Sequence, residues 1–396
     1  MQWDLDDQAR EFQQRFDTFC RESIAPRARD VDRRNAVPTT HWGDLAQAGY
    51  LRLFHPAAWG GTAADGMAQG LAMESLAKAC AGTFWAASIS TVLCGKLLHD
   101  LGSPAHHWDW LRPIVAGQKI GCFAASENGA GSDPNSYQTM LRESKGIYRL
   151  VGEKSRISNA CTADVAFVLA RNATSTGPGL CYVVIDLHQR GIERHETPKL
   201  GLCGMSWGTI EFHDVVVPHE DVIFNANMDK TLRSVEWGQL IQTWCSIGLA
   251  QAALESCIDY VSKRNAFGRP IAHLEIVHSR LADMQVEIDA ARLFALDVTR
   301  AKVQGRVVRD EVMMVKVYAT EMAVRVADAA MRTFGGWGFS KEHIVERIYR
   351  DSLANVPAGL PTDRLREFVA CSSLGVDPWT YAPFDWLSPA GLRLSE

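Results

Sequence analysis

Four short runs in this chain combine glycine, hydroxyl and guanidinium groups in a way that suits a bound anion or polar ring. The first, Gly121 to Asp133, reads GCFAASENGAGSD. An apolar strand leads there into small residues, whose backbone N–H groups can approach a ligand closely. Phe123 and Ala125 flank that approach, Gly131 opens it, and the hydroxyls of Ser126 and Ser132 can hydrogen-bond a cofactor. No Gly-Lys-Ser/Thr follows, which excludes a P-loop. The glycine spacing and the strand-like continuation exclude a dinucleotide fingerprint. The second run, Lys154 to Asn159, reads KSRISN and sets the Ser158 hydroxyl two residues from the cation Arg156. The third, Arg264 to Ile271, reads RNAFGRPI. A guanidinium such as Arg264 suits a diphosphate, because its planar fork makes paired, charge-assisted bonds. The fourth, Arg332 to Phe339, reads RTFGGWGF, and Gly335 and Gly336 again admit a ligand close to the backbone. Taken singly, each run also reads as an ordinary loop, a solvent-facing strand or a glycine-stopped helix.

The elements that must position these runs change character along the chain. Residues 1–118 read as a helical module: Phe12, Phe16 and Phe19 recur at helical spacing, and Gly70–Ala81 and Ala86–Leu98 are alanine-rich. Pro26, Pro56 and Gly60-Gly61 break it. Residues 119–228 read as strands. Ile147–Val151, Val165–Leu169, Cys181–Ile185 and Thr209–Val217 are short, β-branched and bounded by turn residues, which predicts a small antiparallel barrel or sandwich. Residues 229–396 return to helical period. Leu274, Val277, Leu281, Met284, Ile288, Ala291, Ala295 and Val298 form one apolar stripe, as in a helical bundle. Val312–Phe334 reads as a further helix stopped by Gly335-Gly336, and the Pro- and Trp-bearing tail from Asp377 as an irregular surface segment.

Composition narrows the classes. Hydrophobic residues make up 47% and charged residues 22%, ordinary for a globular protein. The formal net charge of −5 argues against binding nucleic acid or an anionic membrane. No leader pattern opens the chain, and no apolar run reads as a membrane span. The 10 cysteines show neither C-x-x-C pairs nor zinc spacing, so no metal is expected, and reduced thiols in a cytoplasm are.

Together the four runs resemble the signatures of the FAD-dependent acyl-CoA dehydrogenase superfamily, in order, over roughly residues 5 to 370. Ser126 to Asp133 is similar to T/S-E-P-x-A-G-S-D, with Asn128 in the place of Pro. Lys154 to Asn159 is similar to K-x-W-I-T-N, with Arg156 for Trp. Arg264 to Ile271 is similar to R-x-x-F-G-x-P-I, and Arg332 to Asp351 to Q-x-x-G-G-x-G-F…E…R…RD, with Arg332 for Gln. The resemblance implies an N-terminal helical domain, a middle β-barrel and a C-terminal four-helix bundle. It implies FAD held by Phe123, Ala125, Ser126, Gly131, Ser132, Arg156, Ser158, Arg264, Phe267, Arg332, Gly335 and Gly336. Some of these would reach the flavin of a neighbouring subunit, so a homodimer or homotetramer is expected. Arg156 would stabilise a reduced, anionic ring or bind an acidic substrate.

The same resemblance exposes a gap. The family's usual base is a Glu eight residues beyond the Arg-Asp pair, and that count from Asp351 reaches Gly359. A second family location for the base falls on Gly238. Neither accepts a proton, so Glu236 is the nearest candidate base, and Gly359→Glu is expected to raise ordinary acyl-CoA dehydrogenase activity. Gln239 replaces a usual Arg, so the CoA contacts are altered as well. The run WCSIGLAQAAL from Trp244 to Leu254 is similar to one in carrier-protein dehydrogenases, which act on hydroxyacyl or aminoacyl thioesters when polyketide extender units are made. The expected function is therefore FAD-dependent oxidation of an acyl thioester, on CoA or an acyl carrier protein, in secondary metabolism. A flavin monooxygenase or oxidase and a non-catalytic FAD-binding scaffold stay open.

Overall fold

The computed structural model describes residues 6–132, 136–174, 176, 179–224 and 228–376. The tail from Asp377 lies outside them, as does Asp133 of the first run. The helical module contains α1 (Asp7–Phe19), α2 (Ala28–Arg34), α3 (Thr40–Ala48), α4 (Gly66–Ala79), α5 (Ala81–Ser88), α6 (Gly95–Leu101), α7 (Pro104–His106) and α8 (Arg112–Val115). In α1 the Asp6 carboxylate caps the first turn by accepting from Ala9 N at 2.7 Å. The phenylalanine spacing then stacks Phe12 on Phe16 and Phe16 on Phe19, with centroids 5.6 and 5.8 Å apart. Phe16 is thereby buried against Tyr50.

A wide π-type turn, Ile89–Cys94, joins α5 to α6 into one helical stretch, Ala81–Leu101. At 21 residues it is long and apolar enough to cross a bilayer, which corrects the expectation that no run qualifies. Its most apolar window is 94% buried within the fold, as in a core helix.

The strands are β1 (Gly121–Ala124), β2 (Met140–Ser144), β3 (Ile147–Ser158), β4 (Val165–Ala173), β5 (Gly179–Asp186), β6 (Ile192–Glu196), β7 (Trp207–Val217) and β8 (Val222–Phe224). They form one sheet in the order β6-β7-β3-β2-β4-β5-β8, with β1 also on β4. The sheet is mixed and not wholly antiparallel as expected, because β1 and β2 both pair with β4 in parallel. Leu150, Phe212, Val168 and Val183 face one core, while the alternate residues Phe167, Leu169, Tyr182 and Val184 pack into the helical core, so β4 and β5 are buried on both faces.

The last module comprises α9 (Met228–Lys263), the hairpin β9 (Asn265–Ala266) and β10 (Arg269–Pro270), α10 (Glu275–Val303), α11 (Arg309–Phe334), α12 (Ile344–Asn355) and α13 (Thr362–Leu374). Val277, Met284, Ile288, Ala291, Ala295 and Val298 of the α10 stripe are buried, while Leu274 and Leu281 are half-buried. The three modules meet at the Arg350-Asp351 pair. Arg350 bonds Asp32 of α2 at 2.9 Å and the Leu200 carbonyl, from the loop before β7, at 3.1 Å. Asp351, fully buried and pushed up to about 6 by burial, accepts from Leu202 N at 2.5 Å. The Arg350-Asp351 pair is here a three-way joint.

Candidate flavin and substrate site

β1 and β2 lie end to end along the same edge of β4. β1 pairs with Val165–Val168, and β2 with Arg171–Ala173. Residues 125–132 and 136–139 therefore lie off the sheet between them, and side chains must replace the lost ladder. Glu127 and Lys154 supply that replacement. The buried Glu127 carboxylate accepts from Gln138 N at 2.6 Å, Thr139 N at 2.9 Å and Lys154 Nζ at 2.9 Å. Lys154 also donates to the Ala125 carbonyl at 2.7 Å and stands 4.3 Å from the centre of the Tyr137 ring. Burial pulls Lys154 down to about 8, which leaves it an ammonium at neutral pH. Burial pushes Glu127 up, but the Gln138 N–H and the Lys154 ammonium more than offset it, so its carboxyl is held below the ordinary value. The pair ties the first run to the second. The sequence-based expectations for these runs name Phe123, Ala125, Ser126, Gly131, Ser132, Arg156 and Ser158 and give Glu127 and Lys154 no role.

The expected ligand contacts of these two runs gather around that anchor. Ser126, Ser132 and Ser158 are half-buried, and among the described residues none of their hydroxyls is spent on a protein partner. Phe123 and Ala125 are half-buried and Gly131 is exposed. Arg156 lies where the β3–β7 register slips, at φ +59, so its side chain curls back. Its guanidinium donates to the Glu127 carbonyl. It braces the loop, and its exposure leaves the guanidinium's other N–H groups open to a ligand.

The third and fourth runs meet elsewhere, at the end of the helical bundle. Arg264 lines a cavity of about 600 Å³ together with Tyr260, Lys263, Phe334 and His343. Tyr260 and Phe334 stack at 4.0 Å as one wall. Among the described residues Arg264 has no ion-pair partner, so its fork is available to an anion. Phe267 sits at the hairpin tip at φ +53 and is 92% exposed. Arg332 is exposed and pairs with Asp328 of its own helix at 2.6 Å. Gly335 ends α11 at φ +59 and ψ −134, a conformation open essentially to glycine alone, and Gly335 and Gly336 are both exposed.

Around Gly359 the geometry differs from what counting residues suggests. The loop 356–360 is held from beneath by the buried Lys316, whose Nζ donates to the Val356 and Leu360 carbonyls at 2.9 Å each. Burial pulls this lysine down to about 7. Gly359 is exposed at φ +60, and a Cβ there would stand 2.9 Å from Nε2 of Gln242 on α9. Glu236 is not delivered to this place. It lies six residues before Gln242, roughly 9 Å along the helix and about 120° around it. Its carboxylate is buried in an ion pair with Lys302 of α10 at 2.6 Å. That carboxylate is occupied by Lys302 and is not presented to Gly359. Gln242, which the sequence reading passed over, takes the position instead.

The fold, the paired hydroxyls and the free guanidinium define a flavin-dependent oxidoreductase. Comparison with known proteins gives its family. Residues 6–118, 122–215 and 229–373 match, in order, the N-terminal, middle and C-terminal domains of acyl-CoA dehydrogenases. The chain is 30% identical to the caffeyl-CoA reductase–Etf complex subunit CarC of Acetobacterium woodii, over 81% of this chain and 86% of that protein. It is 29% identical to the mitochondrial short-chain specific acyl-CoA dehydrogenase of Mus musculus, over 84% of this chain and 82% of that protein. A solved glutaryl-coenzyme A dehydrogenase–glutaryl-CoA complex superposes with a TM-score of 0.90 at 27% identity, covering 96% of this chain and 98% of that one. The chain belongs to the acyl-CoA dehydrogenase family, and its cofactor is FAD. The donor set fits that cofactor: unspent hydroxyls suit the ring's polar edge, and the unpaired Arg264 suits the diphosphate.

Proposed function

We propose that this protein oxidises an acyl thioester, carried on CoA or on an acyl carrier protein, without the family's glutamate base, and that it serves secondary metabolism. The observation that carries the reading is that the four runs stand in family order while Gly359 occupies the place where the family's glutamate is usual, with the neutral Gln242 carboxamide beside it. FAD, when bound, supplies the hydride acceptor. The Glu127–Lys154 pair would hold the loop bearing Ser126 and Ser132 against it, and Ser158 would add a hydroxyl from β3. The altered Glu236 and Gln239, in the stretch where relatives meet CoA, support a carrier protein as the donor of the acyl group.

The test is an anaerobic titration of the purified holoprotein, following the oxidised flavin band. Acyl-CoAs and the same acyl groups on a carrier protein are added in turn. Bleaching by any of them is the expected result. A flavin that stays oxidised with all of them would overturn the reading, and oxygen consumption on turnover would instead favour a monooxygenase or oxidase.

We further propose a homodimer or homotetramer. Phe267 and Phe339 are 92% and 89% exposed, and Trp337 is 46% exposed, all beside the third and fourth runs. Large apolar side chains so exposed and so close to proposed ligand contacts suit a subunit interface. Light scattering on the flavin-loaded protein should give a multiple of the chain mass. Phe267→Asp should shift it toward one chain and weaken flavin retention at least tenfold.

A further inference from the structure

We infer that Lys316 is a positioning residue: its side-chain amine latches the two ends of loop 356–360 when neutral and lets the loop open when protonated. That this loop also meets the substrate rests on the reading above; the latch itself does not.

Three observations carry it. The first is where the bonds fall. Val356 is the residue on which α12 ends, and Leu360 is the last residue before Pro361, from which α13 starts. Lys316 of α11 donates to both carbonyls at 2.9 Å, so one nitrogen ties together the two ends of the connection that carries Gly359. The second is how little else holds that connection. Among the described residues no backbone hydrogen bond joins its two ends, and neither Pro357 nor Pro361 has an N–H to give. The third is a count of donors. A neutral amine has two N–H groups, which match the two carbonyls. An ammonium has three. Lys316 has no exposed surface, and among the described residues no third acceptor and no carboxylate answers it. Other buried lysines differ: Lys154 has Glu127, and Lys302 has Glu236.

The electrostatics then set the direction. A charge buried without a counter-ion is costly. Burial accordingly pulls Lys316 down to about 7, and Glu321, five residues further along α11, only partly offsets this. Glu321 is itself paired with Arg366 of α13, Asp351 of α12 accepts from Leu202 N, and α9 offers the uncharged Gln242. Once the loop lifts and water reaches the amine, its value returns toward the ordinary one, about 10.4. The open loop therefore binds the extra proton. The closed loop gains stability as pH rises from about 7 toward about 10, by up to about tenfold per pH unit. The opposite sign, a charge that tightens the latch, would need a lysine raised above its ordinary value. Sealed beneath the loop, the amine touches no substrate and is no base for it.

The experiment is hydrogen–deuterium exchange of the FAD-loaded, full-length protein, corrected for the pH dependence of exchange in an unstructured chain. It follows the amides that adjoin the loop in α12 and α13, such as Leu365, which bonds the Pro361 carbonyl at 3.1 Å. In wild type their protection should rise at least ~tenfold from about pH 7 to about pH 9. Lys316→Met never carries the proton, and Lys316→Arg never loses it. Both should give protection that is low and independent of pH. A flat or falling wild-type profile would overturn the inference, and so would a rise that survives Lys316→Met or extends through the whole molecule. The wild-type profile and its spread decide even if neither variant folds. Thioester affinity is read from perturbation of the flavin spectrum with butyryl-CoA and butyryl-pantetheine under anaerobic conditions. It should rise over the same pH range in wild type and stay flat in Lys316→Met. Protection that rises while affinity does not would sink the positioning of substrate by this loop. If no thioester perturbs the flavin at any pH, the proposed function fails, while exchange still decides the latch.

Discussion

Gly359→Glu alone, contrary to the expectation from the sequence, should leave plain acyl-CoA thioesters unoxidised, whereas Gly359→Glu combined with Gln242→Ala is expected to oxidise them. Two obstacles face the single substitution. Gly359 sits at φ +60, where a non-glycine residue costs on the order of 1–3 kcal/mol. Its new Cβ would also lie 2.9 Å from Gln242 Nε2, closer than real Cβ contacts come. The amide must move, yet it is buried among packed side chains, so the incoming carboxylate is pushed off any productive line. Trimming Gln242 to Ala opens the room that a carboxylate at 359 requires. A well-placed general base contributes about 10²–10⁴-fold. Stopped-flow reduction of the flavin by butyryl-CoA should therefore run at least ~10²-fold faster in the double variant than in the single one. Equal rates in the two would show that Gln242 yields easily and does not shape the pocket. A double variant as slow as wild type would show that the acyl chain is never presented to residue 359.

That contrast illustrates which features a linear reading reaches. Interactions set by short-range geometry were legible. The phenylalanines of α1, the apolar stripe of α10 and the glycine stop after Phe334 all follow from the 3.6-residue period and from backbone freedom at glycine. The four family-like runs were legible as motifs because their letters lie within a few residues of each other. Partners that meet only through the fold were not. Nothing local says that β1 and β2 share one edge of β4, since strand pairing is decided by the sheet as a whole. The count from Asp351 leads to Gly359 but carries no sign that Gln242 leans on it. Glu236 looked available because Lys302, which occupies it, belongs to another helix. The stretch Ala81–Leu101 is legible only in part, as the helical Ala86–Leu98, because Lys96 and several polar residues interrupt its apolar letters, although the fold buries nearly all of it.

The same distinction makes the Glu127–Lys154 pair the most consequential structural target. Lys154→Met should cost about 3–5 kcal/mol, because it leaves the Glu127 carboxylate buried beside an apolar chain. Two backbone N–H groups, of Gln138 and Thr139, would still bond it, so the carboxyl would not simply take up a proton at neutral pH. The loss falls on the loop that the pair holds, since Lys154 also carries the Ala125 carbonyl next to Ser126. Thermal unfolding should drop by on the order of 10 °C for a chain with modules of this size. Flavin affinity should fall with it, because the hydroxyls of Ser126 and Ser132 are placed by that loop. Adding Glu127→Gln to Lys154→Met removes the stranded charge while keeping an acceptor for the two N–H groups. The double variant should therefore recover more than half of the lost stability, so the two changes are strongly non-additive. It should recover less of the flavin affinity, since the bond to the Ala125 carbonyl is still gone. A flavin affinity restored in step with stability would show that the pair merely stabilises the fold. An affinity that stays low in a stable double variant would show that it positions the cofactor loop.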